Sequence, residues 1–370
     1  MPEDDKNRRK YRLAFLLRDL GEGGAERSAL RLANGLARDG QDVAVLLFAA
    51  KGPLLAAVAS EVRVVDLRGS FFSLLTYLRS FPVDFLLPVY TSMRALLARL
   101  FLRVPFHVVL SQRNMFTMDR GPLQTRVRFL RCRLLYPMAS ACVCISRGVA
   151  EEIKSLKLVE PEKIRVIYNP VVTDELAAQM EAPLDHPWFR EEEGAAVVLG
   201  VGRLGSQKDF ATSIRAFALL APRYPELRFL ILGEGRQRTV LEKIVREENL
   251  ANRVSLPGYV SNPYPYMKRA ALFVMTSRFE GFGNVAAEAL ACGCPVVATD
   301  CKSGPAEILD NGKYGWLAKT GDAANVARLM EEALKHPMSR EELKRRAAFF
   351  SERRAVEEYE RLFDDLMFHK

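Results

Sequence analysis

Short apolar runs alternate with amphipathic stretches along nearly the whole chain. The first is YRLAFLLRD. It is followed by LGEGGAERSALRLANGLARDG, a glycine-rich turn opening a helical period, and then by QDVAVLLFAA, a second buried run. Such a succession is the signature of a β-turn-α-β unit. Further runs at 62–67, 83–90, 106–111 and 140–145 alternate with helical patterns, so the first half predicts a parallel sheet wrapped by helices.

After IRVIYNPVV the period lapses into TDELAAQMEAPLDHPWFREEEGAA, rich in proline and acid, which predicts an inter-domain linker over 171–194. The alternation then restarts. AAVVLGVGR, LRFLILGEG, RVSLPGYV, ALFVMTS and CPVVATD read as strands, with helical patterns between them and AANVARLMEEALKH after. The expected fold is α/β, two Rossmann-like doubly wound domains facing each other across a cleft. In such sheets ligands sit at the carboxyl ends of the strands.

Length agrees, since 370 residues exceed what one ordinary core organises. The first ten residues, MPEDDKNRRK, are charged, and no run approaches the roughly 18–20 apolar residues that cross a bilayer. Neither a signal peptide nor a membrane span is expected. Six cysteines lie in apolar surroundings, among them the pairs Cys142/Cys144 and Cys292/Cys294. Metal binding by Cys-x-Cys is one reading; buried thiols in a reducing cytoplasm is the one favoured.

Charge divides the chain unevenly. Residues 1–180 hold 27 Lys+Arg against 18 Asp+Glu, and residues 181–370 hold 27 against 27. The excess is densest from Arg94 to Arg133, where nine arginines meet one acid, Asp119. Within it LQTRVRFLRCRLLY sets Leu123, Val127, Leu130 and Leu134 on one helical face, with Arg126 and Arg131 at its flanks. A core helix and a helix lying on an anionic membrane both fit. No nucleic-acid motif accompanies the arginines.

The chemistry concentrates at three strand ends of the second half. VLGVGRLGSQKDF brings Arg203 and Lys208 to a helix entrance, a setting that favours a diphosphate. LGEGRQ contributes Gly233. In RFEGFGNVAAEALACGCPVV, Glu280 follows a strand, and a Gly-x-Gly turn presents the N–H groups of Phe282, Gly283 and Asn284 at the start of a helix. Glu288 falls in the early turns of that helix, where a carboxylate can accept from a vicinal diol. A phosphate cradle with a carboxylate near each end suits a nucleotide sugar.

These elements, together with GPAEIL, YGWLA, VGRL, QKD, YNP and GGAER, resemble the retaining glycosyltransferases of family 4, which have the GT-B fold. The resemblance implies an N-terminal acceptor-binding domain over 1–175, a nucleotide-sugar domain over 195–350, and a C-terminal helix over 351–370 crossing back to the first. It implies that Glu280 binds hydroxyls of the donor sugar and Glu288 the ribose, with Arg203 and Lys208 neutralising the leaving diphosphate. The GYV backbone at Val260 would meet the base, and Glu307 would line the sugar pocket. Gly23 and Gly24 would approach the phosphates and acceptor from the other domain.

With no Asp-x-Asp in the chain, the expected transfer needs no metal and no cofactor beyond the donor, taken as UDP-linked. Many relatives place a histidine in a first-domain loop near the donor sugar. Here SQRN offers Arg113 and Asn114 to the cleft instead, resembling bacterial members that extend glycans on polyprenyl diphosphate. The expected acceptor is therefore a glycan or a polyprenyl-diphosphate-linked saccharide. The expected location is the inner face of the cytoplasmic membrane, touched through the arginine-rich 94–135 region, with no nucleic-acid partner. A nucleotide-sugar epimerase on the same fold, or a non-catalytic protein binding anionic membranes or nucleic acid, is the alternative.

Overall fold

The computed structural model describes residues 9–21, 23–102, 104–116, 122–190 and 196–368, without the side chains of 122–124. Most of the charged leader, Arg103, Asp119, Arg120 and the side chain of Leu123 therefore lie outside the described residues. The chain divides into two units, residues 1–170 with 352–370, and residues 171–351.

The first unit begins β1 (Arg12–Leu17), α1 (Gly24–Arg38), β2 (Asp42–Leu47), β3 (Arg63–Asp66), α2 (Phe71–Ser80) and β4 (Phe85–Pro88). It continues α3 (Ser92–Phe101), β5 (His107–Gln112), α4 (Pro122–Leu135), β6 (Ala141–Cys144), α5 (Arg147–Ser155) and β7 (Ile164–Val166). The strands are parallel in the order β3-β2-β1-β4-β5-β6-β7. Ala14, Leu16, Ala44 and Leu46 point into a core under α2, α3 and α5, while Leu13, Phe15, Val43 and Val45 point into a core under α1. Helices cover both faces, which is why these strands read as unbroken apolar runs without polar alternation.

The second unit starts with α6 (Asp174–Met180), then β8 (Ala196–Val201), α7 (Phe210–Leu220), β9 (Leu227–Leu232), α8 (Arg238–Glu247) and β10 (Val254–Gly258). Next come α9 (Tyr264–Arg269), β11 (Leu272–Met275), α10 (Asn284–Ala291), β12 (Val296–Thr299), α11 (Pro305–Ile308) and β13 (Trp316–Ala318). Two helices, α12 (Ala323–Lys335) and α13 (Arg340–Ala347), close the unit. Its parallel order is β10-β9-β8-β11-β12-β13. The last helix, α14 (Glu352–Phe368), belongs to the first unit. There Phe363 packs against Phe85 with ring centroids 4.4 Å apart, and Tyr11 Oη donates to Asp364.

The stretch expected as a linker is instead part of the second unit. Asn262 Nδ2 donates to the Gln179 carbonyl at 2.8 Å, Lys268 pairs with Glu181 at 2.5 Å, and His186 and Phe189 sit edge-on to Tyr266. The unit therefore begins at 171 rather than near 195. The proline- and acid-rich composition hid apolar and ionic partners supplied from α9.

Candidate active site

In each sheet the strand order reverses once, between β1 and β4 in the first unit and between β8 and β11 in the second. A crevice opens outside the carboxyl ends of the two strands at such a point.

In the second unit the loops leaving β8 and β11 are bonded to each other. Lys208 Nζ lies 2.6 Å from Glu280 Oε1, and Ser277 Oγ donates to the same oxygen at 2.7 Å. Arg278 N–H donates to the Gln207 carbonyl at 2.8 Å, and Gln207 Nε2 donates to the Phe279 carbonyl at 3.0 Å. Asp209 completes the clamp. Its Oδ2 accepts from Arg278 Nε at 3.1 Å and Thr212 Oγ1 at 3.0 Å, and its carbonyl accepts from Thr276 Oγ1 at 2.9 Å. Asp209 is buried and holds a left-handed φ of 47°, a conformation that persists only where neighbours over-determine it. Sequence reading singled out Lys208 and Glu280 but missed Gln207, Asp209 and Arg278. The available signal was a carboxylate beside Lys208 and a cation two residues before Glu280.

The turn after Glu280 leads into α10, with Gly283 as its N-cap. Phe282 is buried edge-on to Phe350 at 5.2 Å, so its ring packs the loop. Asn284 opens the helix and is half-buried. Glu288 is buried one turn further, and its Oε1 accepts from Tyr264 Oη on α9 at 3.2 Å. Tyr264 is a fourth residue that sequence reading did not single out.

Two glycines set how closely the loops stack. A Cβ on Gly233 would come 1.9 Å from the Gly202 carbonyl oxygen, and one on Gly304 would come 1.9 Å from that of Phe282. Both lie below any contact a side chain can make, so glycine is required for packing at each position. Gly233 thereby serves the β8 loop first. Glu307 is half-buried, with its carbonyl held by Arg346, and Val260 is half-buried beside the exposed Tyr259. Arg203 is exposed and makes no ion pair among the described residues. Burial first, and then negative Glu280, push the Cys301 thiol up to about 12, which keeps it protonated beside this edge.

The first unit's edge is built differently. Gly23 caps α1 and Gly24 opens it, and the Glu26 carboxylate folds back so that a Cβ on Gly23 would meet Oε2 at 2.1 Å. The chain's own acid thus lies against the N-cap of the helix whose glycines were expected to approach phosphate and acceptor. Arg113, expected to face the cleft, is buried at 6% exposure. Its Nη1 donates to Asn169 Oδ1 at 3.3 Å and its Nε has no hydrogen-bond partner among the described residues. Burial pulls this guanidinium below its ordinary value. Asn114 is exposed, and its Nδ2 donates to Tyr90 Oη at 3.1 Å.

The arginine run resolves into two kinds. Arg94 stacks on Phe48, Arg99 donates to the Phe106 carbonyl, and Arg128 lies over the Phe116 ring, so these hold the unit together. Arg126, Arg131 and Arg133 are exposed. On α4 the aliphatic stripe faces solvent, with Leu130 65% and Leu134 76% exposed, while Cys132 and Phe129 face the core. Among the described residues no helix is long and apolar enough to cross a membrane.

Two family models match, Glycosyltransferase Family 4 over residues 22–175 and Glycosyl transferases group 1 over 184–349. The chain is 33% identical over 58% of its length to the N-acetylgalactosamine-N,N'-diacetylbacillosaminyl-diphospho-undecaprenol 4-alpha-N-acetylgalactosaminyltransferase of Campylobacter jejuni, covering 56% of that protein. It is 34% identical over 54% of its length to the lipopolysaccharide core biosynthesis glycosyltransferase LpsE of Rhizobium meliloti, again covering 56%. The chain thus spans about half the length of the curated relatives it matches. A crystal structure of Anabaena Alr3699/HepE in complex with UDP superposes with a TM-score of 0.79, at 19% identity, over 96% of this chain and all of that one. The shared architecture is GT-B.

Proposed function

The chain belongs to the glycosyltransferases of family 4, and from that premise we propose that it is a retaining, metal-independent hexosyltransferase using a UDP-linked donor. The acceptor would be a glycan or polyprenyl-diphosphate-linked saccharide at the inner face of the cytoplasmic membrane. The observation that carries the donor half is the Lys208–Glu280–Ser277 cluster at a switch point, followed by the α10 N-terminus and then Glu288 with Tyr264. A sugar at Glu280, a diphosphate at the turn and a ribose at Glu288 follow that order along the loop.

The chemistry asked of these residues is electrostatic. Cleaving the anomeric C–O bond leaves positive charge on the sugar and negative charge on the departing diphosphate. Lys208, the α10 N–H groups and Arg203 would stabilise the second charge, each such donor lowering the barrier by about 2.7–4 kcal/mol. Lys208 begins bonded to Glu280 and the loops are locked by Asp209 and Gln207, so little reorganisation is needed as charge develops. Both bonds to Glu280 fall on Oε1, which suits the other oxygen to a sugar hydroxyl. The acceptor oxygen would attack from the face the diphosphate leaves.

Support for a membrane-borne acceptor comes from α4, whose solvent-facing leucines and basic flanks fit an anionic lipid surface. The test is a thermal-shift panel of UDP-, GDP- and ADP-sugars. Stabilisation of about 2.7 kcal/mol is expected for a UDP-sugar at a hundred times its Kd. A panel in which no nucleotide sugar raises Tm overturns the reading.

A further inference from the structure

Tyr90 stands in the position of the first unit that Ser277 holds in the second. Each lies two residues past the strand at the switch point, β4 for Tyr90 and β11 for Ser277. Ser277 turns inward to Glu280. Tyr90 does the opposite, being 57% exposed with a left-handed φ of 58°. A bulky residue in that region is strained, and here the scaffold enforces it from both sides. Val89 N–H and Thr91 Oγ1 both donate to the Leu16 carbonyl of β1, at 2.9 and 2.6 Å. The Tyr90 hydroxyl is tied to Asn114 Nδ2 at 3.1 Å, so the ring is held at its base and at its tip. Arg113, next in sequence to Asn114, is a buried cation whose Nη1 donates to the neutral Asn169.

We propose that Tyr90 is the platform on which a pyranose ring of the acceptor stacks, with Asn114 bonding an adjacent hydroxyl. The reasoning rests on the glycosyltransferase reading above and specifies its acceptor side. An aromatic ring presents a flat, electron-rich face, and the axial C–H bonds of a pyranose present a flat, weakly positive one. A ring fixed in advance loses little freedom when a sugar settles on it. An anionic diphosphate is repelled by the electron-rich face, and an acyl chain has no hydroxyl for Asn114 to bond. The occupant is therefore the saccharide portion of the acceptor.

The experiment uses the full chain, the donor that stabilises it, and citronellyl-diphosphate-linked N-acetylhexosamine as acceptor, with sugar-free citronellyl diphosphate as competitor. Tyr90→Gly removes the ring at a backbone angle glycine accepts readily, so its Tm should equal or exceed that of the parent. Its acceptor KM should rise about tenfold, while donor KM, donor hydrolysis without acceptor, and inhibition by citronellyl diphosphate stay unchanged. Tyr90→Trp should restore acceptor KM to within about threefold. Unchanged acceptor KM in Tyr90→Gly, or a shift in donor KM or competitor inhibition instead, overturns the proposal and leaves the transferase reading standing. Absence of transfer and of donor stabilisation in the parent protein overturns both.

Discussion

The two switch points share a topology and differ in what fills them. In the second unit the loops after β8 and β11 cross-bond, and an ion pair between half-buried Lys208 and buried Glu280 lies at their junction. In the first unit the loop after β4 is bonded back to β1 through Leu16 and leaves Tyr90 and Asn114 at the surface. The exposed large apolar side chains follow the same division. Among the described residues the second unit exposes only Leu219, Val240 and Tyr259, whereas the first exposes Phe72, Leu100, Phe101, Leu130 and Leu134 among others. One fold thus yields a preorganised polar interior in one copy and an open, partly apolar surface in the other. A charged ligand is best met by paired charges fixed in place. A saccharide or a lipid surface is best met by exposed rings and aliphatic groups.

The sharpest way to break this contrast is at the second unit. Glu280→Ala is expected to lower turnover about 10²–10³-fold with little change in UDP-sugar affinity, while Glu288→Ala weakens nucleotide binding and changes turnover far less. Equal losses from both, read by steady-state kinetics and calorimetry, would dissolve the division between a sugar end and a ribose end.

The interior character of the pair predicts a stability effect. Lys208→Met leaves the Glu280 carboxylate buried with Ser277 alone and should lower unfolding free energy by about 3 kcal/mol. Adding Glu280→Gln should recover most of that loss in denaturant melts. A single variant as stable as the parent would show the pair to be solvated.

The smallest effect belongs to the first unit. Leu130→Gln with Leu134→Gln should change stability by less than about 0.5 kcal/mol yet reduce sedimentation with anionic vesicles severalfold. Loss of stability without loss of vesicle binding would make α4 a core helix after all.

Much of this was legible from residue pattern. The alternation marked β4, β5 and β6 near their actual bounds, because strands buried on both faces must be apolar throughout. Glu280 and Lys208 stood out because each sits where an apolar strand gives way to a helix, and Glu288 because it falls in the early turns of the helix that follows Glu280. Arg113 and the 171–190 stretch were less readable. An arginine beside a strand end looks the same in sequence whether it turns outward or inward, and only its buried contact with Asn169 decides. A polar segment looks like a linker until α9 supplies its partners.

By itself the chain's order of apolar and polar residues determined two doubly wound sheets, the loops that carry charge, and the stripe on α4. Period and burial are local properties, so they survive in one dimension. Only the tertiary structure decided that Lys208 bonds Glu280, 72 positions away in sequence, that Asp209 and Arg278 clamp their loops, that the α4 stripe faces solvent, and that Tyr90 is held outward. Each depends on the distance between segments remote in the chain, which topology sets and composition does not record.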